Sequence, residues 1–181
     1  DQARRQFETT GQKVVIAFEV HHGHLLSDVD QISLFLDGLG PEDLYWLGFI
    51  DDPANRFIEQ RGLSLSAQEF LTAVNSRGGA VVAHHMKDVE EVENKQMDNI
   101  GHIQTVGERF FSYQGRGYEW TELGQGALDL QECLKAVKLA RTPFSDFDLV
   151  SAEYVAASAD KERARVVLLQ YVDLLEAASV D

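Results

Sequence analysis

The chain has 181 residues, 44% of them hydrophobic and 25% charged, and its 30 acidic against 16 basic side chains give a formal net charge of −14. Such a chain can bury one core of ordinary size, and its composition is not that of a disordered protein. That much negative charge repels phosphate backbones and anionic membranes at long range, which argues against nucleic-acid and membrane partners and toward a basic protein partner.

Residues 1–12 are polar and read as a flexible, frayed lead-in or a short helix. Residues 13–22, KVVIAFEVHH, predict a strand with Val14, Ile16, Phe18 and Val20 on one face. Ser27 is the expected N-cap of a helix carrying Val29, Ile32, Leu36 and Leu39, ended by Gly38, Gly40 and Pro41. The apolar run 44–50 lies between acidic turns and reads as a buried strand. Ser66 and Glu69 form a capping box before a helix with Phe70, Leu71 and Val74 inward. Residues 80–86 predict another strand, and residues 87–99 an acidic helix.

The stretch 106–128 predicts a hairpin: two aromatic-rich strands joined by Gly115-Arg116-Gly117, a Gly-X-Gly connection suited to a tight turn. A helix over 127–141 and a last helix over 158–178 follow. The second carries Val167, Tyr171, Leu174, Leu175 and Ala178 on one side and Val166, Leu169 and Val172 on its shoulder. Together these elements predict a single α+β domain over 1–181, with a small, mostly antiparallel sheet packed against several helices.

Six histidines fall in three places: His21, His22 and His24 after the first strand, His84 and His85 at the end of another, and His102. On an extended chain His22 and His24 point the same way. His84 or His85 would then supply a third nitrogen to a divalent metal such as zinc, if the two strands are neighbours. No HExxH motif, paired Cys or Asp-rich loop accompanies them, so the reading is that no cofactor is bound, with a divalent metal such as zinc as the alternative. Cys133 is a lone thiol in a helix beside Leu134; it rules out an internal disulfide and points to a cytoplasmic compartment. The sequence begins at Asp1 rather than Met, which is compatible with a removed upstream segment such as a signal peptide. No G-x-S-x-G elbow or P-loop is present.

Tyr118-Glu119-Trp120-Thr121-Glu122-Leu123-Gly124, continuing to Ala127-Leu128, resembles the wing strand and following helix of winged-helix transcription regulators. The resemblance covers about a third of the chain, over residues 64–128, and implies a helix–wing fold. Between residues 64 and 126 the chain has five Lys and Arg against nine Asp and Glu, a poor footprint for DNA.

The sequence reading is therefore a non-enzymatic, acidic interaction module (an inhibitor, immunity-type or adaptor protein). Its expected partner contacts are Tyr45, Trp46 and Trp120, with Leu169 and Val172 of the last helix available for a homodimer. A winged-helix regulator and a His-cluster metal enzyme are the alternatives.

Overall fold

The computed structural model describes residues 2–60, 67–92, 110–139 and 150–152, together with Leu169, Val172 and Asp173. The elements run α1 (Gln2–Thr10), β1 (Ile16–Glu19), α2 (Val29–Asp37), α3 (Pro41–Leu44), β2 (Leu47–Asp51), α4 (Pro53–Glu59), α5 (Ala67–Asn75), β3 (Val81–Met86), β4 (Asp88–Val92), β5 (Phe110–Tyr113), β6 (Arg116–Thr121), α6 (Leu130–Leu139) and β7 (Val150–Ala152). Two small sheets result. One is parallel, in the order β1-β2-β3-β7; the other is antiparallel, in the order β4-β6-β5.

The larger sheet thus differs from the expected antiparallel arrangement, and the connections explain why. Helices α2 and α3 lie between β1 and β2, and α4 and α5 lie between β2 and β3. A strand that returns through a helical crossover returns parallel. Spatial order follows sequence order with no reversal, as in the wall of a β/α barrel rather than a doubly wound sheet.

Helices α2 and α5 cover one face of this sheet. Ile32 and Leu36 of α2 and Phe70, Leu71 and Val74 of α5 pack on Val20, Phe49 and Val81. Each such side chain contributes about 1.5–3 kcal/mol by leaving water. Asp28 is the N-cap of α2, its carboxylate accepting from Gln31 N at 2.8 Å. The expected cap, Ser27, instead donates its hydroxyl to Gln31 Oε1.

The segment 88–92, expected as the start of an acidic helix, is the strand β4. It pairs along β6, where Val89 is wholly buried beside Phe111, Tyr118 and Trp120, so tertiary packing overrides the local helical pattern. The hairpin is present, but its turn is Gln114-Gly115, both at positive φ (49° and 78°), a two-residue turn of the primed type. Arg116 and Gly117 belong to β6 and pair with Tyr113 and Ser112. Ala54, Phe57 and Ile58 bind this antiparallel sheet to α4, next to the end of β2.

β1 is an edge strand among the described residues. Ile16 and Phe18 remain 49% and 36% exposed, whereas β2 and β3 are largely buried. The expected helix over 158–178 lies outside the described residues except for Leu169, Val172 and Asp173. No described helix is long and apolar enough to cross a membrane.

Candidate metal centre at the strand ends

The first three parallel strands finish on chemistry-bearing side chains. Glu19 is the last residue of β1; Asp51 ends β2 and Asp52 follows it; His84 and His85 lie near the end of β3, with Lys87 just beyond. Because the strands are parallel, all of these gather at one edge of the sheet, the edge where barrel enzymes place their active sites.

Alternation then divides the two dipeptides between the faces of the sheet. Asp51 and His84 are register partners and share a face. Arg56, reaching back from α4, places Nε 2.8 Å from Asp51 Oδ1 and Nη2 3.4 Å from Oδ2. His84 Nδ1 stands 3.6 Å from Asp51 Oδ2, too far for a hydrogen bond, and is a buried nitrogen with no hydrogen-bond partner. Burial alone would raise the Asp51 carboxyl, but the Arg56 guanidinium and His84 more than reverse it and hold the group below its ordinary value.

Their sequence neighbours turn the other way. Glu19, Asp52 and His85 bring one potential ligand atom each to within 4.8 Å of one another. His85 Nδ1 is 3.2 Å from Glu19 Oε1. Asp52 is shaped by α4, which it caps: Oδ1 accepts from Asn55 N at 2.9 Å, and Oδ2 accepts from Asn55 Nδ2 and from Lys87 Nζ, both at 2.8 Å. Pro53 at the first helical position fits the same start. Two carboxylates against one ammonium leave this group a net charge of −1, which suits a cation. Two oxygen donors and one imidazole suit a divalent ion such as Mn²⁺, Co²⁺ or Zn²⁺. The residues therefore fit a metal, with Glu19, Asp52 and His85 as its holders.

Beside this group lies an aromatic and histidine cluster. His22 is buried, and its Nδ1 is 2.6 Å from Asn55 Oδ1. Its ring stacks on His21 (centroids 4.5 Å apart) and on Phe111 (5.6 Å), with Tyr113 edge-on at 5.1 Å. Burial pushes His22 down to about 4, although the Asn55 hydrogen bond opposes the fall. Tyr113 donates its hydroxyl to Glu59 Oε2 at 2.7 Å, and Gly23 N donates to the same oxygen.

Of the histidines singled out in the sequence, His85 is in the three-ligand group and His84 is behind it with Asp51. His22 is bound to Asn55. His24 does not extend along a strand with His22: the chain turns at Gly23 (φ 75°), and the His24 ring stacks on His21 at 4.6 Å. His102 lies outside the described residues. Trp120 is 4% exposed, packed on Phe111, with Lys87 Nζ 5.0 Å from its ring. Tyr45 is exposed under Lys13 Nζ, and Trp46 packs edge-on against Phe7. Leu169 and Val172 are about half exposed. Cys133 is buried, and burial pushes its thiol up to about 12.

Sequence reasoning missed Glu19, Asp52, Asn55 and Lys87. A signal was present: Glu19, Asp52 and His85 follow one another at equal steps of 33 residues, the length of one β/α unit.

No protein-family model matches the chain, and no curated protein matches it in sequence. Among solved structures it is similar in fold to a xylose isomerase domain protein from Planctomyces limnophilus, with a TM-score of 0.56 and 19% identity. The match covers 94% of this chain and 48% of that one, so the chain spans about half the length of its structural neighbour. This likeness corrects the reading as a non-enzymatic interaction module and also its winged-helix alternative. The hairpin read as a wing belongs to the antiparallel sheet, and β3 joins the parallel sheet of β1 and β2 instead of the sheet that contains β6.

Proposed function

We propose that the chain carries the metal-holding part of a barrel enzyme that isomerises or epimerises a small hydroxy-carbonyl compound of the sugar class. The observation that carries this reading is the convergence of Glu19, Asp52 and His85 at the ends of three successive parallel strands. The fold likeness to a xylose isomerase domain protein supports the same substrate class.

A divalent ion held there would polarise a carbonyl and an adjacent hydroxyl, easing movement of hydrogen at the carbon between them. The chain's own residues supply the setting. Asn55 and Lys87 fix the Asp52 carboxylate by three hydrogen bonds and charge contacts, so its orientation is set before anything binds. The Asp51–Arg56 pair ties the end of β2 to α4 and holds that helix under the site. The aromatic rings of Phe111 and Tyr113 pack against the His22 ring, one stacked and one edge-on.

The test has two parts. Titration calorimetry with Mn²⁺ on the protein, on Glu19→Gln and on Asp52→Asn should give a single site whose affinity falls at least tenfold in either variant. Incubation of the Mn²⁺-loaded protein with a panel of aldoses and ketoses in D₂O, followed by proton NMR, should reveal isomer or epimer formation. Absence of Mn²⁺, Co²⁺ and Zn²⁺ binding in the unaltered protein would sink the reading.

A further inference from the structure

His22 is a buried group beside the metal centre that does not belong to its three ligands. It lies three residues beyond Glu19, and one amide separates it from Asp52. The hydrogen-bond chain there can be assigned from one end to the other. Asp52 is paired with the Lys87 ammonium and its oxygens only accept, so the Asn55 atom facing Oδ2 is the NH₂ group. The Asn55 carbonyl oxygen must then face His22 at 2.6 Å, and an amide oxygen cannot donate. Nδ1 of His22 therefore carries the proton and donates it. In a neutral ring this leaves Nε2 as a bare acceptor. No described residue hydrogen-bonds to that nitrogen.

We propose that His22 is a substrate-positioning residue of this centre, its Nε2 accepting a hydrogen bond from a hydroxyl of a polyhydroxylated ligand while Asn55 holds the ring in that tautomer. This rests on the sugar-class reading above and adds to it a direction of recognition. A neutral acceptor prefers a hydroxyl donor and does nothing for a carboxylate or phosphate oxygen, so the ligand portion at this position is an uncharged hydroxyl. The stacked His21 and Phe111 rings keep the imidazole plane fixed, which makes the acceptor directional. Burial keeps the ring neutral around pH 7, consistent with acceptance and not donation.

The experiment uses the ¹⁵N-labelled protein loaded with Mg²⁺, which avoids paramagnetic broadening. Long-range proton–nitrogen NMR reads the tautomer directly. Nδ1 is expected in the protonated shift range and Nε2 in the unprotonated one, and Nε2 should move when glycerol, xylitol or sorbitol is added. His22→Phe should weaken binding of the responding polyol about tenfold, the worth of one buried hydrogen bond, while His22→Gln recovers part of it. Mg²⁺ affinity should stay within twofold in both variants. A proton on Nε2, no response of Nε2 to any of the polyols, or a polyol affinity unchanged in His22→Phe overturns the proposal. A loss of Mg²⁺ affinity in His22→Phe equal to that in Glu19→Gln would make His22 part of the metal set and overturns it too. Failure of the metal reading is distinguishable, because it would leave Mg²⁺ affinity unmoved by Glu19→Gln.

Discussion

Asp51 Oδ1 lies 2.8 Å from Arg56 Nε, and both side chains are shut away from solvent at 1% and 3% exposure. Such a pair is weak evidence of net stabilisation, yet breaking one side leaves a buried charge alone. Asp51→Asn should therefore lower stability by about 3–5 kcal/mol, read as a shift of the urea midpoint. The double change Asp51→Leu with Arg56→Met removes both charges and should recover most of that loss. A single change costing under about 1 kcal/mol would contradict the pairing.

Lys87 Nζ sits 2.8 Å from Asp52 Oδ2 and so competes with any cation for that oxygen. In Lys87→Met the Asp52 carboxylate keeps its place through Asn55, and the group's net charge moves from −1 to −2. Mn²⁺ should bind about tenfold more tightly, a modest share of what charges near 4 Å exert under surface-like screening. Calorimetry decides this. Weaker binding would mean that Lys87 is needed to hold Asp52 in position for the ion.

The folded-state value of His22 is depressed from 6.5 to about 4, so the unfolded chain binds its proton more readily between those values. Stability linked to this residue is fully present above about pH 6.5 and is lost as pH falls through about 4, a change on the order of 3 kcal/mol. Urea unfolding of the protein and of His22→Gln across pH 4–7 should give curves that converge at the acid end. Parallel curves would show that the residue titrates normally in the fold.

Asp88 closes a different part of the molecule. Its carboxylate accepts from the backbone N–H groups of Val89, Gly124, Gly126 and Leu128, folding the segment after β6 back onto β4. Asp88→Asn turns two of the four acceptor sites into donors facing donors, and should cost about 2–3 kcal/mol. Gly126→Ala should act on the same contact, since a Cβ there would collide with Asp88 Oδ1 and with Thr121 Oγ1. Thermal melts of both variants should fall together, and their combination should be less than additive.

Much of the element pattern was legible in the chain. β1, β2, β3, the hairpin and helices α2 and α5 all have local signals: alternation, caps, and apolar stripes bounded by turns. Strand direction was not, because it depends on which helices cross between strands, and the helix α4 is short and hidden behind Asp52-Pro53, which reads as a turn. Val89 shows the other failure. Its helical spacing is genuine, but the aromatic surface of β6 outweighs it. For the site, the histidines drew attention as a type, whereas Glu19 and Asp52 looked like an ordinary strand-end carboxylate and a helix cap. Only alternation about the sheet, which separates Asp51 from Asp52 and His84 from His85, assigns one of each pair to the metal group.

The exposed strand β1 gives the chain a direction of growth. Its apolar residues Ile16 and Phe18 accompany a parallel edge that no other described strand covers, a template on which strands of other molecules can be laid at a spacing of about 4.8 Å. What keeps copies of this chain apart is a formal charge of −14, and salt screens that repulsion beyond about 8 Å at physiological ionic strength. Colloidal behaviour thus becomes a contest between a long-range force that salt weakens and a short-range one that it leaves intact. Light scattering of the 181-residue chain should rise with added salt while its circular dichroism stays native, and Ile16→Lys with Phe18→Lys should abolish the rise.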